Sequence, residues 1–481
     1  MLDLLIRGAR VIDGSGSAAF DADIGVREGR IAALGALDLP ARQYFDAAGA
    51  VVCPGFIDVH THDDLQVIRH PRMLSKLSQG VTTVVVGNCG ISASPVLARN
   101  NLPDPMNLLG DEHEFRYPDF ASYRTAVEAA APAVNVAALV GHTSLRANHM
   151  DRLDRAADGD EIEAMRLQLR QALQQGALGL SSGLAYGSAW HAPNAEVLAL
   201  AAELPAGGSY ASHLRDEFAG VLDALDEAFA VGQHSGAAVR ISHLKCAGVD
   251  NWGRSARVLE HLQAHAQDHD VACDCYPYAA SASTLDLKQV TDAYDILITW
   301  SQPEPGQGGR LLAEIAADWQ LPLLEAARRL QPAGAVYHCM DEADVQRILA
   351  HPLTMIGSDG LPRDPRPHPR LWGTFPRVLG HYVREQKLFP LHEAVRKMTG
   401  LPAQRFQLGA RGRVRIGGWA DLVCFDPESI RDTADFHDPC QPAAGIRAVW
   451  VNGQLAYDGQ DPAPTRHGRF ITPDPTPAAL A

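Results

Sequence analysis

His60-Thr61-His62 places two imidazoles one residue apart, directly after the apolar run Gly55-Phe56-Ile57-Asp58-Val59. Alternate residues of an extended strand point to the same side, so this pair can aim two ring nitrogens at one point. Neutral imidazole is a natural ligand for zinc. Taken alone, the pattern equally describes two polar residues at a strand end. Four other apolar runs change that reading. Residues 82–86 lead into Gly87-Asn88-Cys89-Gly90, 208–211 into Ser212-His213, 238–241 into Ser242-His243, and 354–357 into Ser358-Asp359-Gly360. Each run delivers one thiol, imidazole or carboxyl just past the carboxyl end of a strand. These are the groups that hold a transition metal or move a proton. A lone His, Cys or Asp is most often structural; five strand ends carrying such groups together form a constellation.

For those ends to meet, the strands must run parallel. The middle of the chain offers eight apolar strand candidates, at 55–59, 82–86, 134–140, 177–180, 208–211, 238–241, 271–275 and 354–357, with helical stretches such as 160–175 and 255–268 between them. Short, continuously apolar strands alternating with helices imply an α/β fold whose parallel sheet is buried on both faces. Eight units predict a closed, TIM-like (β/α)8 barrel, although an open doubly wound sheet shares the same local pattern. In a barrel all the carboxyl ends face one mouth, where the chemistry sits. Residues 281–331 are too long for a simple connection and are expected to form a lid or insertion.

The two ends of the chain have a different texture, of short alternating strands and turns. Arg7-Gly8, Asp13-Gly14 and Glu28-Gly29 read as hairpin turns, and Asn452-Gly453 as a tight turn between two further strands. Neither end alone has enough strands for a stable sheet pair. Residues 1–54 and 408–481 are therefore expected to join in one small β-sandwich domain, with 55–407 forming the barrel. A Pro/Ala-rich tail from Pro473 onward is expected to fray.

Composition narrows the partners. The 481-residue chain is 46% hydrophobic and 21% charged, with a formal net charge of −15. Such a field repels nucleic acid and anionic membrane surfaces, which leaves a small molecule as the expected partner. No stretch approaches the ~18 consecutive apolar residues of a membrane span. The start, Met1-Leu2-Asp3-Leu4-Leu5-Ile6-Arg7, lacks the basic opening and long apolar run of a secretory signal. The eight cysteines show no CxxC pairing and read as reduced thiols, so the expected compartment is the cytoplasm.

Pro54-Gly55-Phe56-Ile57-Asp58-Val59-His60-Thr61-His62, Gly87-Asn88-Cys89-Gly90 and Ile356-Gly357-Ser358-Asp359-Gly360 together resemble the amidohydrolase superfamily, and within it the D-aminoacylase (N-acyl-D-amino-acid deacylase) family. The resemblance runs from about Leu4 to Arg469. It implies zinc-dependent hydrolysis of N-acyl-D-amino acids to a carboxylate and a free D-amino acid. It also implies a cysteine where many superfamily members bridge two metals with a carboxylated lysine. On that basis Cys89, His213 and His243 hold one tight zinc, and His60 and His62 mark a second, weaker position. Three protein donors leave one coordination position open, as a catalytic zinc requires. Asp359 matches the family's catalytic aspartate, expected to take a proton from the attacking water and pass it to the leaving nitrogen.

Lys245, Arg370 and Tyr276 resemble the family's grip on the substrate α-carboxylate, with Tyr186 and Ser283 as further pocket residues. His142 reads as a hydrogen-bonded support as readily as a catalytic group. One departure bears on substrate choice. Relatives selective for N-acyl-D-glutamate carry an arginine shortly after the Ser-Thr that follows the tyrosine strand, and Ser283-Thr284-Leu285-Asp286-Leu287-Lys288-Gln289-Val290 has none. The expectation therefore leans to neutral or hydrophobic side chains. The alternatives are an N-acyl-D-glutamate deacylase, a D-amino-acid dipeptidase and a cyclic amidase, the last opposed by Cys89 in place of lysine. A non-enzymatic barrel is opposed by the joint presence of Cys89, His213, His243 and Asp359.

Overall fold

The eight apolar runs of the middle of the chain are strands in the computed structural model, which describes residues 1–96 and 102–474. They are β1 (Phe56–Asp58), β2 (Val81–Val86), β3 (Asn135–Ala138, resuming as Val140–Gly141), β4 (Gly179–Gly183), β5 (Ser209–His213), β6 (Ala238–Ile241), β7 (Val271–Cys275) and β8 (Thr354–Ile356). Every neighbouring pair in the order β1 to β8 is parallel. A parallel bridge between Thr61 and Gly360 then brings the chain leaving β8 beside the chain leaving β1. Every residue of these strands is buried, which explains runs such as Val84-Val85-Val86 where a half-exposed strand would alternate.

Helices cross over between the strands. Gly159–Gln174 starts at a capping box, where Asp158 accepts from the Glu161 amide and the Glu161 carboxylate accepts in return. After β5 comes α1 (Val221–Ser235), which ends at Gly236 with a left-handed φ of 73°. After β6 comes α2 (Ser255–His265). Both turn apolar faces, including Leu225, Phe229, Val258 and Leu262, onto the strands.

The long segment before β8 has its own sheet. Ser281–Thr284 and Ile296–Ser301 flank Ala333–Tyr337 in an antiparallel three-stranded arrangement. Helices Leu312–Trp319 and Leu323–Leu330 connect the last two strands.

The terminal strands share one eight-stranded sheet, in which Val51–Pro54 pairs antiparallel with Leu422–Phe425. Glu28-Gly29 and Asn452-Gly453 are two-residue turns with positive φ at both positions, 54° and 75°, then 50° and 79°. Arg7-Gly8 is not a turn. It lies inside the strand Leu2–Val11, at a register shift between Ile6 and Ala9, with Gly8 at a φ of 62°. An extra residue absorbed this way bends the strand without ending it, and glycine bears the left-handed conformation. The tail expected to fray lies outside the described residues beyond Asp474. Among the described residues no helix is long and apolar enough to cross a membrane.

Candidate metal centre and active site

His60, Cys89, His243 and Asp359 meet at the carboxyl ends of β1, β2, β6 and β8, with one donor atom of each inside a 4.8 Å cluster. Cys89 Sγ lies 3.1 Å from His60 Nε2 and 3.4 Å from His243 Nε2. Asp359 Oδ1 lies 3.5 Å from His60 Nε2 and 3.2 Å from His62 Nε2. His213, at the end of β5, stacks edge-on against His243 with ring centroids 4.4 Å apart. His60, Cys89, His243 and Asp359 thus form one cluster, His62 adjoins it through Asp359, and His213 adjoins it through His243, with which it forms a second donor group completed by Glu217.

Three of these positions hold strained backbone. Cys89, His243 and Asp359 have φ of 53°, 36° and 48°. Left-handed conformations of non-glycine residues cost roughly 1–3 kcal/mol each and persist only where the surroundings enforce them. Here the enforcing bonds are visible: the Asp359 amide donates to the His60 carbonyl at 2.8 Å, and the His243 amide donates to Asp274 Oδ1 at 2.9 Å.

Carboxylates stand behind two of the imidazoles. His60 Nδ1 is 3.3 Å from Asp274 Oδ2, and His243 Nδ1 is 3.0 Å from Glu217 Oε1. A proton held on Nδ1 by a carboxylate leaves Nε2 free as a donor to a cation, and in both rings Nε2 is the atom facing Cys89. Asp274 and Glu217 were not anticipated from sequence. Asp274 had a readable signal, an acidic residue inside the buried strand Val271–Cys275; Glu217, four residues past His213 in a loop, had none.

The charges fit a metal. Burial alone raises the Cys89 thiol, but the His60 and His243 imidazoles outweigh it and hold the group well below its usual range, favouring thiolate. Burial likewise raises Asp359, and the Arg370 guanidinium, with His60 and His62, pulls it well below the ordinary carboxylate range. In return, these anions lift His60 well above its usual value, and His62 to about 9, against the opposing effect of burial. A buried concentration of negative charge that draws protons this strongly also draws a divalent cation. A thiolate with imidazoles is a borderline-soft donor set suited to zinc, and among the described residues Nδ1 of His213 and of His62 are buried without a partner.

A cavity of about 830 Å³ opens over this cluster. His62, His213, His243 and Asp359 form its floor, and Tyr186, Lys245, Tyr276 and Ser283 are in its wall. Lys245 Nζ donates to Glu217 Oε1 at 2.5 Å and sits 2.8 Å from His243 Nδ1. Arg370 is fully buried behind that wall, 4.5 Å from the Tyr276 ring centroid, and bonds Asp359 Oδ2 at 2.8 Å. Among the described residues, Tyr276 Oη and the Nε and NH1 of Arg370 have no hydrogen-bond partner. Tyr186 packs on His213, with centroids 4.8 Å apart. His142 lies elsewhere, 2.9 Å from Glu196 in a buried cluster with Arg146.

A second polar network underpins the first. Lys76, fully buried, reaches Asp58 Oδ2 at 2.8 Å and Asp63 Oδ2 at 3.1 Å, and donates to Ser358 Oγ at 3.0 Å. It thereby ties the segment bearing His60 and His62 to the turn bearing Asp359. Lys76→Met leaves two carboxylates buried with no cation, and the expected loss of stability is about 3–5 kcal/mol. Urea unfolding monitored by circular dichroism measures it; a change under 1 kcal/mol would refute the role.

Residues 43–457 match the Amidohydrolase family. The chain is 49% identical to a D-aminoacylase of Alcaligenes xylosoxydans xylosoxydans, over 98% of this chain and 97% of that one. It is 48% identical to an N-acyl-D-glutamate deacylase and 47% to an N-acyl-D-aspartate deacylase of the same organism, over 98% of this chain and 97% and 95% of theirs. Among solved structures it superposes with a TM-score of 0.95 on a D-aminoacylase described by the functional role of its binuclear metal centre, with one-metal activation and second-metal attenuation, at 48% identity over 98% of this chain and 100% of that one. It superposes with a TM-score of 0.94 on the N-acyl-D-glutamate deacylase of Bordetella bronchiseptica complexed with zinc and a phosphonate mimic of the tetrahedral intermediate, at 46% identity over 98% and 99% of the two chains. The chain belongs to the amidohydrolase family, in its D-aminoacylase (N-acyl-D-amino-acid deacylase) branch.

Proposed function

We propose that this protein is a hydrolase of linear amides that converts N-acyl-D-amino acids to a carboxylate and a free D-amino acid. The observation that carries the reading is the cluster of His60, Cys89, His243 and Asp359 beneath one cavity whose lining includes His62, His213, His243 and Asp359. Cys89, His213 and His243 would hold one tight zinc, and His60 and His62 a second, weaker position beside Asp359. A zinc ion bound there supplies Lewis acidity toward the scissile carbonyl and lowers the pKa of water. Asp359, kept ionised by Arg370, accepts a proton from the attacking water and returns it to the leaving amine nitrogen. Tyr276 and Lys245 stand in the cavity wall with the Arg370 guanidinium directly behind Tyr276, and among the described residues Tyr276 Oη and Arg370 Nε and NH1 are buried donors without partners, which supports these three as the grip on a substrate α-carboxylate. Tyr186 and Ser283 complete the wall that positions the acyl group.

The parallel order β1 to β8 with its Thr61–Gly360 bridge supports a (β/α)8 barrel over residues 55–407, with 281–331 inserted before its last strand. We read residues 1–54 and 408–481, of which 475–481 lie outside the described residues, as one small β-sandwich domain; Leu4, Ile24, Val52, Leu422 and Trp450 from both chain ends share one apolar core, which supports that reading.

The side chain accepted is neutral or hydrophobic. The relatives with different acidic specificities are almost equally identical to this chain, so identity does not separate them. The cavity wall carries Leu108, Leu285, Leu361 and Trp300, and its Lys288 is drawn over the Trp190 ring at 5.0 Å, two residues from Asp286. Amine release from matched N-acetyl-D- and N-acetyl-L-methionine, leucine, phenylalanine and glutamate tests both statements, using zinc-loaded enzyme. Turnover of the D forms of the apolar residues is expected. Turnover mainly of N-acetyl-D-glutamate would overturn the side-chain preference alone, and cleavage of neither enantiomer would overturn the activity.

A further inference from the structure

On the outer surface, α1 and α2 lie side by side and bring three metal-ligating groups together. His261 and His265 are one turn apart on α2, a spacing that puts both rings on one face of a helix. Asp226 of α1 faces them. One donor atom from each of the three lies within 4.8 Å of the others. His261 Nε2 is 2.6 Å from Asp226 Oδ1, and the two imidazole centroids are 4.8 Å apart.

The rings are held ready. His265 stacks on Phe229 of α1, with centroids 4.2 Å apart and planes 23° from parallel. Its Nδ1–H donates to the His261 carbonyl at 3.1 Å, which fixes the neutral tautomer with its lone pair on Nε2. Asp226 is exposed and both histidines are partly so, leaving solvent free to fill the remaining coordination positions. The catalytic proposal uses none of these residues, and a packing role accounts for Phe229 but not for an aspartate aimed at one of two same-face imidazoles.

We propose that Asp226, His261 and His265 form a surface site for a divalent transition ion of the zinc class. Two neutral imidazole nitrogens and one carboxylate oxygen are a borderline donor set, which suits Zn²⁺, Ni²⁺ and Cu²⁺ and not the oxygen-seeking Ca²⁺ or Mg²⁺. In a tetrahedral zinc site neighbouring ligand atoms are about 3.4 Å apart, so the three donors need only side-chain adjustment. On binding, the ion takes the place of the proton between His261 Nε2 and Asp226 Oδ1: from the neutral ring that proton moves to Nδ1 by tautomerisation, and from the imidazolium it is released to solvent while Nδ1 keeps its own. The bound ion clips α1 to α2, the two helices that directly follow the strands bearing His213 and His243. Its effect is on the stability of this edge of the fold and not on the reaction.

The test uses the untagged, zinc-loaded full chain. Cu²⁺ is added after dialysis in buffered zinc, and bound metal is counted by plasma mass spectrometry alongside electron paramagnetic resonance. Wild type is expected to bind one equivalent beyond the double variant His261→Gln/His265→Gln, with nitrogen hyperfine structure that the variant lacks, while amide hydrolysis is the same in both. Asp226→Asn provides an independent readout in which both imidazoles remain, and is expected to bind copper more weakly than wild type. Equal metal content and identical spectra in wild type and double variant would overturn the proposal.

Discussion

Asp359→Asn is expected to retain zinc and lose about 10²–10⁴-fold in kcat, the span contributed by a positioned acid–base group. The substitution is chosen to isolate proton transfer. Asparagine is nearly the same size and tolerates left-handed backbone, so it can keep the φ of 48° and the amide bond to the His60 carbonyl. Its amide oxygen can still accept from the buried Arg370, which would otherwise lose its acceptor at this position. What it cannot do is accept a proton at neutral pH. Because Arg370 and the neighbouring imidazoles hold the native carboxyl well below its usual range, the wild-type base form is present throughout the neutral range. Its protonation therefore does not set the fall in rate between pH 7 and pH 5. Steady-state kinetics with metal analysis decides the matter. Activity within tenfold of wild type would end the acid–base role, and loss of zinc along with activity would reassign Asp359 to holding the metal.

Cys89→Ser is expected to abolish tight zinc retention and to reduce activity by more than about 10²-fold, since even supports behind a ligand cost 10–100-fold when removed. Serine preserves the shape, but its hydroxyl stays protonated where the Cys89 thiol, lowered by His60 and His243, ionises. Wild type stripped by a chelator should recover activity on zinc addition; the serine variant should recover little at the same zinc concentration. Full zinc content in Cys89→Ser would show that the histidines suffice and that the thiolate is dispensable.

Much of this site was legible because metal-type donors at strand ends leave a repeated local mark. A continuous apolar run followed by His60, Cys89, His213, His243 or Asp359 can be found without knowing any contact. The eight strands were legible for the same reason, since burial on both faces removes polar alternation. Groups that act through space left no such mark. Glu217 approaches His243 and Lys245 only once the crossover through α1 has been folded. Lys76 meets Asp58 across 18 residues and Ser358 across 282, a junction visible only in three dimensions. Arg370 was legible only by resemblance, as part of the carboxylate grip; its ion pair with Asp359 shows only once the chain is folded. The Arg7-Gly8 bulge shows the opposite limit: a glycine with positive φ signals a break in regularity without saying whether the strand ends there.

The Thr61–Gly360 bridge also has a consequence for biosynthesis. His60 and Asp359 are neighbours in the finished site but 299 positions apart in the chain. At ~5–20 residues per second of synthesis, the first histidines leave the ribosome roughly 15–60 s before Asp359 exists. During that interval the ring of strands lacks its last member, and the Cys89 thiol has neither its full burial nor its finished set of neighbours. The finished cluster, with Asp359 in place, is thus completed late, and the newborn chain is most open to oxidation or to the wrong ion before the last strand docks.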